Sequence, residues 1–160
     1  MSTPDKPNTP IIWRLMRQLN RQMIIRVIGR GRGPRGVVLL LTTVGRKSGQ
    51  PRVTPLQYEE DHCVIYVAAA RGPRADWFRN IQANPRMEVQ IADRVLEGRA
   101  EPIVDPARIA DFLELRLKRH RLMMKLLLIA EGLPPWADRS ALERCAAHKA
   151  LVAIHPVDRS

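Results

Sequence analysis

Cysteine is scarce: Cys63 and Cys145 are the only two in 160 residues. Two thiols cannot supply a disulfide framework, and their scarcity fits a reducing compartment. Aromatic residues make up 4% of the chain. They are too few to interleave with the arginines as stacking platforms, which weighs against a binder of nucleic acid. Long apolar runs are missing too. No stretch approaches the roughly 18 uninterrupted apolar residues of a spanning helix, so a helical integral membrane protein is excluded. The apolar stretch from Ile11 is broken by Arg14, Arg17 and Arg21, and no small-residue cleavage site follows it. A secretory leader is therefore not expected. Acidic residues are nearly absent from the first third, where Asp5 is the only acid before Glu59.

What is present is an ordinary globular composition, 45% apolar and 27% charged, at a length that suits one domain with a sizeable core. The formal net charge is +11, unevenly spread. Residues 1–58 carry eleven Lys and Arg against one acid, a net +10, while the other 102 carry sixteen basic and fifteen acidic residues, a net +1. A positive field concentrated in this way attracts polyanions: phosphorylated cofactors, anionic lipid or nucleic acid.

Three segments follow from the pattern. Residues 1–10, with three prolines, read as a disordered lead-in. Residues 11–36 read as a cationic amphipathic helix, with Ile12, Leu15, Met16, Leu19, Met23 and Val27 on one stripe, followed by a glycine-rich loop. That helix has two readings: it packs on the core, or it lies on an anionic membrane surface with Trp13 at the interface. Residues 37–160 read as the folded domain. Val37–Val44 predicts a buried strand. Val53–Glu59 predicts a second, with Pro55 inside it, which demotes it to an edge or a bulge. After a turn at Asp61-His62, Cys63–Ala70 predicts a third strand, with Cys63 an inert core thiol. Trp77–Ala83 predicts a short helix, and Arg86–Ala92 with Arg94–Val104 a hairpin turning at Asp93. Five short, mostly antiparallel strands result, and closing them into a barrel removes exposed edges. Asp105-Pro106 is a helix start. The helix it opens runs to about Glu131, with a kink near His120. Its second half, Leu122–Ala130, is apolar on nearly every face and is expected in the domain interior, at a dimer interface or over a ligand pocket. Ser140–Lys149 predicts a last helix and Leu151–Ile154 a last strand.

No catalytic constellation emerges. His62, His120, His148 and His155 pair with no His, Cys or carboxylate at metal-ligand spacing, so no metal site is expected. Nucleophile elbow, Walker loop and dinucleotide fingerprint are all missing. Such a chain is an enzyme only if a cofactor carries the reactivity. The strongest local signal is Gly45-Arg46-Lys47-Ser48-Gly49, followed by Arg52. Glycines admit close approach of a ligand, backbone N–H groups in such a turn form an anion-binding concavity, and cations with a hydroxyl supply charge-assisted bonds to phosphate or carboxylate. On chemistry alone, a plain basic hairpin turn explains it equally well.

The run Thr42–Leu56 (TTVGRKSGQPRVTPL), then Val67–Gly72 (VAAARG) and Asp76–Pro85 (DWFRNIQANP), resembles three ordered motifs of the deazaflavin-dependent nitroreductase family. The likeness covers about Val37 to Val104. It implies an α+β, antiparallel, flavin-reductase-like split β-barrel, mostly β with flanking helices and often dimeric. It also implies a reduced 8-hydroxy-5-deazaflavin (coenzyme F-420) used to reduce quinones, nitro compounds or activated double bonds. Carried over residue by residue, Arg46, Lys47 and Ser48 meet the phosphate and acidic tail. Arg52, Thr54, Pro55 and Leu56 line the path to the ring, with Gln57 at its end. Ala68, Ala69, Ala70 and Arg71 form the opposite wall, while Trp77 and Asn80 close the site. An apolar substrate pocket is expected from Trp13, Met16, Met123, Met124 and Trp136. The protein is then cytoplasmic, with peripheral attachment to the inner membrane face through residues 11–28. The competing readings are a related barrel holding flavin mononucleotide or haem, a non-catalytic lipid-binding barrel, and a basic nucleic-acid-binding module.

Overall fold

The computed structural model describes residues 38–157; the expected lead-in at 1–10 and the helix and loop at 11–36 lie outside them. Apolar and β-branched residues build β1 (Val38–Val44), which the tight turn at 45–50 connects to the long β2 (Pro51–Asp61). The remaining strands are β3 (Val64–Ala69), β4 (Arg86–Ile91), β5 (Arg94–Ile103) and β6 (Ala150–Pro156). All pair antiparallel, and they close into a barrel in the order β1-β2-β3-β6-β5-β4. The five expected barrel strands are thus six. The last strand in sequence sits between β3 and β5, which explains its five consecutive buried residues, Ala150 to Ile154. Its Ala150, Val152 and Ile154 face the barrel interior, and Leu151 and Ala153 face a second core outside. A strand covered on both faces reads as a continuous apolar run rather than an alternation.

The interior core holds Leu39, Leu41, Val67, Val89 and Ile154, plugged by Phe78 of α1 (Asp76–Ala83). The outer core lies under α2 (Pro106–Arg119), α3 (Arg121–Ala130) and α4 (Arg139–Ala146). There Tyr66 of β3 meets Phe112 of α2 with ring centroids 5.8 Å apart. Asp105 caps α2 by accepting from the Arg108 N–H at 3.2 Å, and Asp138 caps α4 by accepting from Ala141 N–H at 2.8 Å, each satisfying a donor that a helix start leaves unpaired.

Two expectations are corrected. The single long helix is two, because His120 leaves helical geometry (φ −128°, ψ 55°). The break is anchored from the barrel: buried Glu59 of β2 accepts from His120 Nε2 at 3.1 Å and pairs with Arg119 Nη1 at 3.4 Å and Arg116 Nε at 3.6 Å. Cys63 is not in the core. It is exposed, in the turn between β2 and β3, where His62 and Cys63 both have positive φ (47° and 65°). A two-residue hairpin whose turn matches strand twist demands positive φ at both positions.

One departure from regular pairing positions the candidate site. Residues 51–57 of β2 pair with β1 only, and residues 58–61 pair with β3. β3 in turn leaves β2 after Val67 and continues along β6 to Ala69. The barrel is therefore split between the first half of β2 and the end of β3. Pro51 and Pro55 both lie in the half of β2 with one neighbour, where a missing N–H sacrifices no second ladder. The edge expected from Pro55 is this one.

Candidate functional site

A groove of about 740 Å³ opens at the split. Strand alternation decides which residues reach it. From β2 come Thr54 and Leu56, with Arg52 at the entry; from the end of β3 come Ala68 and Ala70, followed by Arg71. The turn contributes Gly45, Arg46, Lys47 and Ser48, and the α1 end contributes Ala75, Asp76, Trp77 and Asn80. Eleven of the fourteen residues expected around a cofactor thus converge on one concavity, although they are scattered from position 46 to position 80. Pro55, Gln57 and Ala69 do not line it. They occupy the alternate positions of their strands, and Ala69 is buried in the barrel interior.

The turn is held by its own backbone and by α1. Gly45 N–H donates to the Gln50 carbonyl at 2.8 Å, Gly49 N–H donates to the Gly45 carbonyl at 2.7 Å, and Gln50 N–H donates to Ser48 Oγ at 3.3 Å. A Cβ at Gly45 would stand 2.7 Å from Ser48 Oγ and 3.1 Å from the Gln50 carbonyl oxygen, so the turn closes this tightly only around glycine. Asn80 is buried and spends both ends of its amide. Its Nδ2 donates to Thr43 Oγ1 at 3.2 Å, while its Oδ1 accepts from the Arg46 N–H at 3.2 Å and Arg46 Nη1 at 3.1 Å. Arg46 Nη2 completes an ion pair with Asp76 Oδ1 at 3.0 Å.

This arrangement gives Arg46, which also lines the groove, a structural task. Its guanidinium and backbone N–H clamp the turn onto α1, and its charge faces a carboxylate. Of the cations that line the groove, Lys47, Arg52 and Arg71 have no ion-pair partner among the described residues, and all three are exposed. The backbone N–H groups of Lys47 and Ser48 likewise have no partner there. Three free cations with two free N–H donors around a concavity are the donor set for a multiply charged anion. The walls formed by Ala68, Ala70, Leu56 and Thr54 carry small or apolar side chains, which suits a flat ring. A phosphorylated planar coenzyme therefore fits the residues present.

Sequence reasoning missed Thr43 and Asp76. The spacing held a signal, since Asp76 and Asn80 lie four apart on α1 and so share the face that meets Arg46. The residues expected around a substrate are not brought together at the groove. Met124 is wholly buried in the outer core, Met123 and Trp136 are exposed, and none of the three lines the groove. Trp13 and Met16 lie outside the described residues. Among the described residues no cluster of three His, Cys, Asp or Glu is placed to hold a metal.

Comparison with known proteins is consistent with this geometry. Over 68 residues the chain is 37% identical to the F420H(2)-dependent quinone reductase Rv1261c of Mycobacterium tuberculosis, covering 41% of this chain and 46% of that protein. The chain thus spans about half the length of the curated relatives it matches. Among solved structures, HutZ, the haem storage protein from Vibrio cholerae, is similar with a TM-score of 0.54 at 15% identity, over 85% of this chain and 92% of that one, a likeness of fold alone. An F420 reductase structure aligns at 23% identity over 78% of this chain and 89% of that one, with a TM-score of 0.48. The sequence signature of the F420H(2)-dependent quinone reductases matches residues 14–119. That is well over half of the chain and includes every strand lining the groove. The chain belongs to the F420H(2)-dependent quinone reductase family.

Proposed function

We propose that this protein is an oxidoreductase that uses reduced coenzyme F-420 to reduce a small lipophilic acceptor, a quinone in the first place and a nitro compound or activated double bond in the second. The observation that carries the reading is the groove at the barrel split, where Lys47, Arg52 and Arg71 surround a small-residue wall. Lys47 and Arg52, with the N–H groups of Lys47 and Ser48, hold the phosphate and acidic tail. Arg71 adds charge from the opposite wall. Thr54, Leu56, Ala68 and Ala70 orient the ring, and Trp77 closes one end against water. Asn80 and Arg46 keep the turn in place. The bound coenzyme supplies a hydride equivalent, which with one proton converts a quinone to its hydroquinone. No protein nucleophile is required. The protein's contribution is orientation and water exclusion, in keeping with the missing catalytic constellation.

The test is titration of the purified protein with reduced coenzyme F-420, flavin mononucleotide and an oligonucleotide. Reduced F-420 is expected to bind at low micromolar Kd or tighter, about −8 kcal/mol, and Lys47→Glu/Arg52→Glu to weaken it at least about tenfold by reversing two contacts. Tighter binding of flavin mononucleotide, or unchanged affinity in the double variant, defeats the assignment. A homodimer and peripheral attachment through residues 11–28 at the cytoplasmic membrane face belong to the same proposal. Sedimentation checks the first, and vesicle flotation of a variant with Arg14, Arg17 and Arg21 made neutral checks the second.

A further inference from the structure

The groove wall that carries Arg71 outruns the strand pairing that supports it. β3 leaves β2 after Val67, and its ladder with β6 ends at Ala69, opposite Ala150. Ala70 and Arg71 line the groove beyond that point. Their support comes one residue later. Gly72 is buried, and a Cβ there would collide with the His148 carbonyl and stand 3.8 Å from Lys149 Cα. The chain leaving Arg71 is thus packed on the backbone that enters β6, and close-packed contacts transmit displacement. Two bonds fix that backbone. Lys149 N–H donates to the Ala146 carbonyl at 2.9 Å, and Lys149 Nζ pairs with Glu131 Oε1 at 3.0 Å. Among the described residues this is the only ion pair within 147–149. The Lys149 side chain is 19% exposed, so the bridge is partly sheltered from solvent. Glu131 closes the C-terminal end of α3, where its own N–H donates to the carbonyls of Leu127 and Leu128. Along α3 only Met124 and Leu128 are buried, while Leu122, Leu126 and Ile129 are exposed. The described residues therefore do not provide the cover expected over Leu122–Ala130.

We propose that Lys149 is a positioning residue for the coenzyme: its bridge to Glu131 fixes the backbone on which Gly72 rests, and so holds Arg71 at the groove. The proposal rests on the reading of Arg71 as a ligand of the anionic coenzyme. Lys149 does not line the groove, so its effect reaches the coenzyme only through the chain it supports. That effect is confined to one wall. Lys47 sits in the turn that Asn80 and Arg46 clamp to α1, and Arg52 lies in the half of β2 that pairs with β1. Neither depends on residues 147–149. Neutralising Lys149 leaves a partly solvated carboxylate behind, which costs little stability, but it frees the segment beneath Gly72.

The experiment is a double-mutant cycle on the full chain, read as Kd for reduced coenzyme F-420, with thermal melting and backbone amide relaxation of the free protein alongside. Lys149→Met keeps the apolar stem and removes the charge. It should weaken coenzyme binding about fivefold, and Lys149→Arg should recover the loss. Arg71→Ala should weaken binding about tenfold, and Lys149→Met added to it should cost nothing more, because both act through one contact. Added to Lys47→Ala, the same substitution should show its loss in full. In the free protein, Lys149→Met should lower the order parameters of the Arg71 and Gly72 amides while Tm stays within about 2 °C of the wild type. A merely structural role for the bridge would lower Tm and leave the cycle additive. Wild-type affinity in Lys149→Met, additivity with Arg71→Ala, or unchanged order parameters each overturns the inference while the functional reading stands. A wild type that does not bind reduced F-420 defeats that reading, and this inference with it.

Discussion

Removing the Asn80 side-chain amide strands the Thr43 hydroxyl and the Arg46 backbone N–H and leaves Arg46 Nη1 only its bond to the Asp76 carbonyl. Each had exchanged water for this partner, and a buried polar group left unpaired costs about 1–3 kcal/mol. Asn80→Ala should therefore lower stability by about 2 kcal/mol and free the turn from α1, weakening coenzyme affinity further than the stability loss accounts for. Asn80→Asp keeps an acceptor for Arg46 and should recover much of both. Denaturant unfolding paired with coenzyme titration checks this, and equal affinity in the Ala variant would show that the clamp has no part in binding. Backbone geometry is equally local. Gly72 has φ +61°, and a Cβ there would collide with the His148 carbonyl. The segment after the Ala68–Arg71 wall can turn under the chain entering β6 only because this position has no side chain.

At the scale of elements, the junction of α2 and α3 is tied to the barrel through one carboxylate. Glu59 lies at the far end of β2 from the groove and gathers Arg116, Arg119 and His120, all from the end of α2 or the break itself. Arg119 also donates to the Glu60 carbonyl at 2.7 Å and pairs with Asp61. Removing a buried charge from such a cluster leaves the others uncompensated. A fully buried pair costs about 3–5 kcal/mol to break; Arg119 and His120 are partly solvated here, so Glu59→Leu should cost about 2 kcal/mol. The loss should concentrate in the helix layer. Hydrogen exchange is the measurement, with faster exchange expected at α2 and α3 than at β1 and β4; uniform acceleration would mean that the junction is no separate anchor.

Across the whole molecule, carboxylates join the barrel to its helical cover, and their titration gives an acid limb to stability. The Arg108 hydrogen bond from α2, aided by His155, holds Glu101 of β5 below the ordinary carboxylate range. His62, then Arg119, does the same for Asp61. Groups lowered in the folded state bind fewer protons there than in the unfolded chain. Their contribution is complete above the ordinary values, 4.5 and 3.8, and is lost as pH falls through the lowered ones. Tm should be level above about pH 5 and fall below it. Glu101→Gln/Asp61→Asn should flatten that fall, as should high salt, since both carboxylates are solvent-accessible and screened. An acid limb of unchanged slope in the double variant would place the titration elsewhere.

The strands, the first helix, the cap at Asp105 and the glycine-flanked cationic turn were all legible in the order of residues, because each depends on neighbours within a few positions. Local chemistry specifies a hairpin, a cap or an edge proline wherever the segment is placed. Tertiary structure alone decided which residues meet. It inserted β6 between β3 and β5, converting an apolar run into a strand buried on both faces. It split β2 from β3 to open a groove on alternate residues, so that Thr54 and Leu56 line it and Pro55 and Gln57 do not. It also made Arg46 a clamp between the turn and α1, because Asp76 and Asn80, thirty and more positions away, supply partners that no local pattern around Arg46 contains. Charge and periodicity act along the chain, whereas the pairing of a guanidinium or the covering of α3 depends on what closure of the barrel brings beside it.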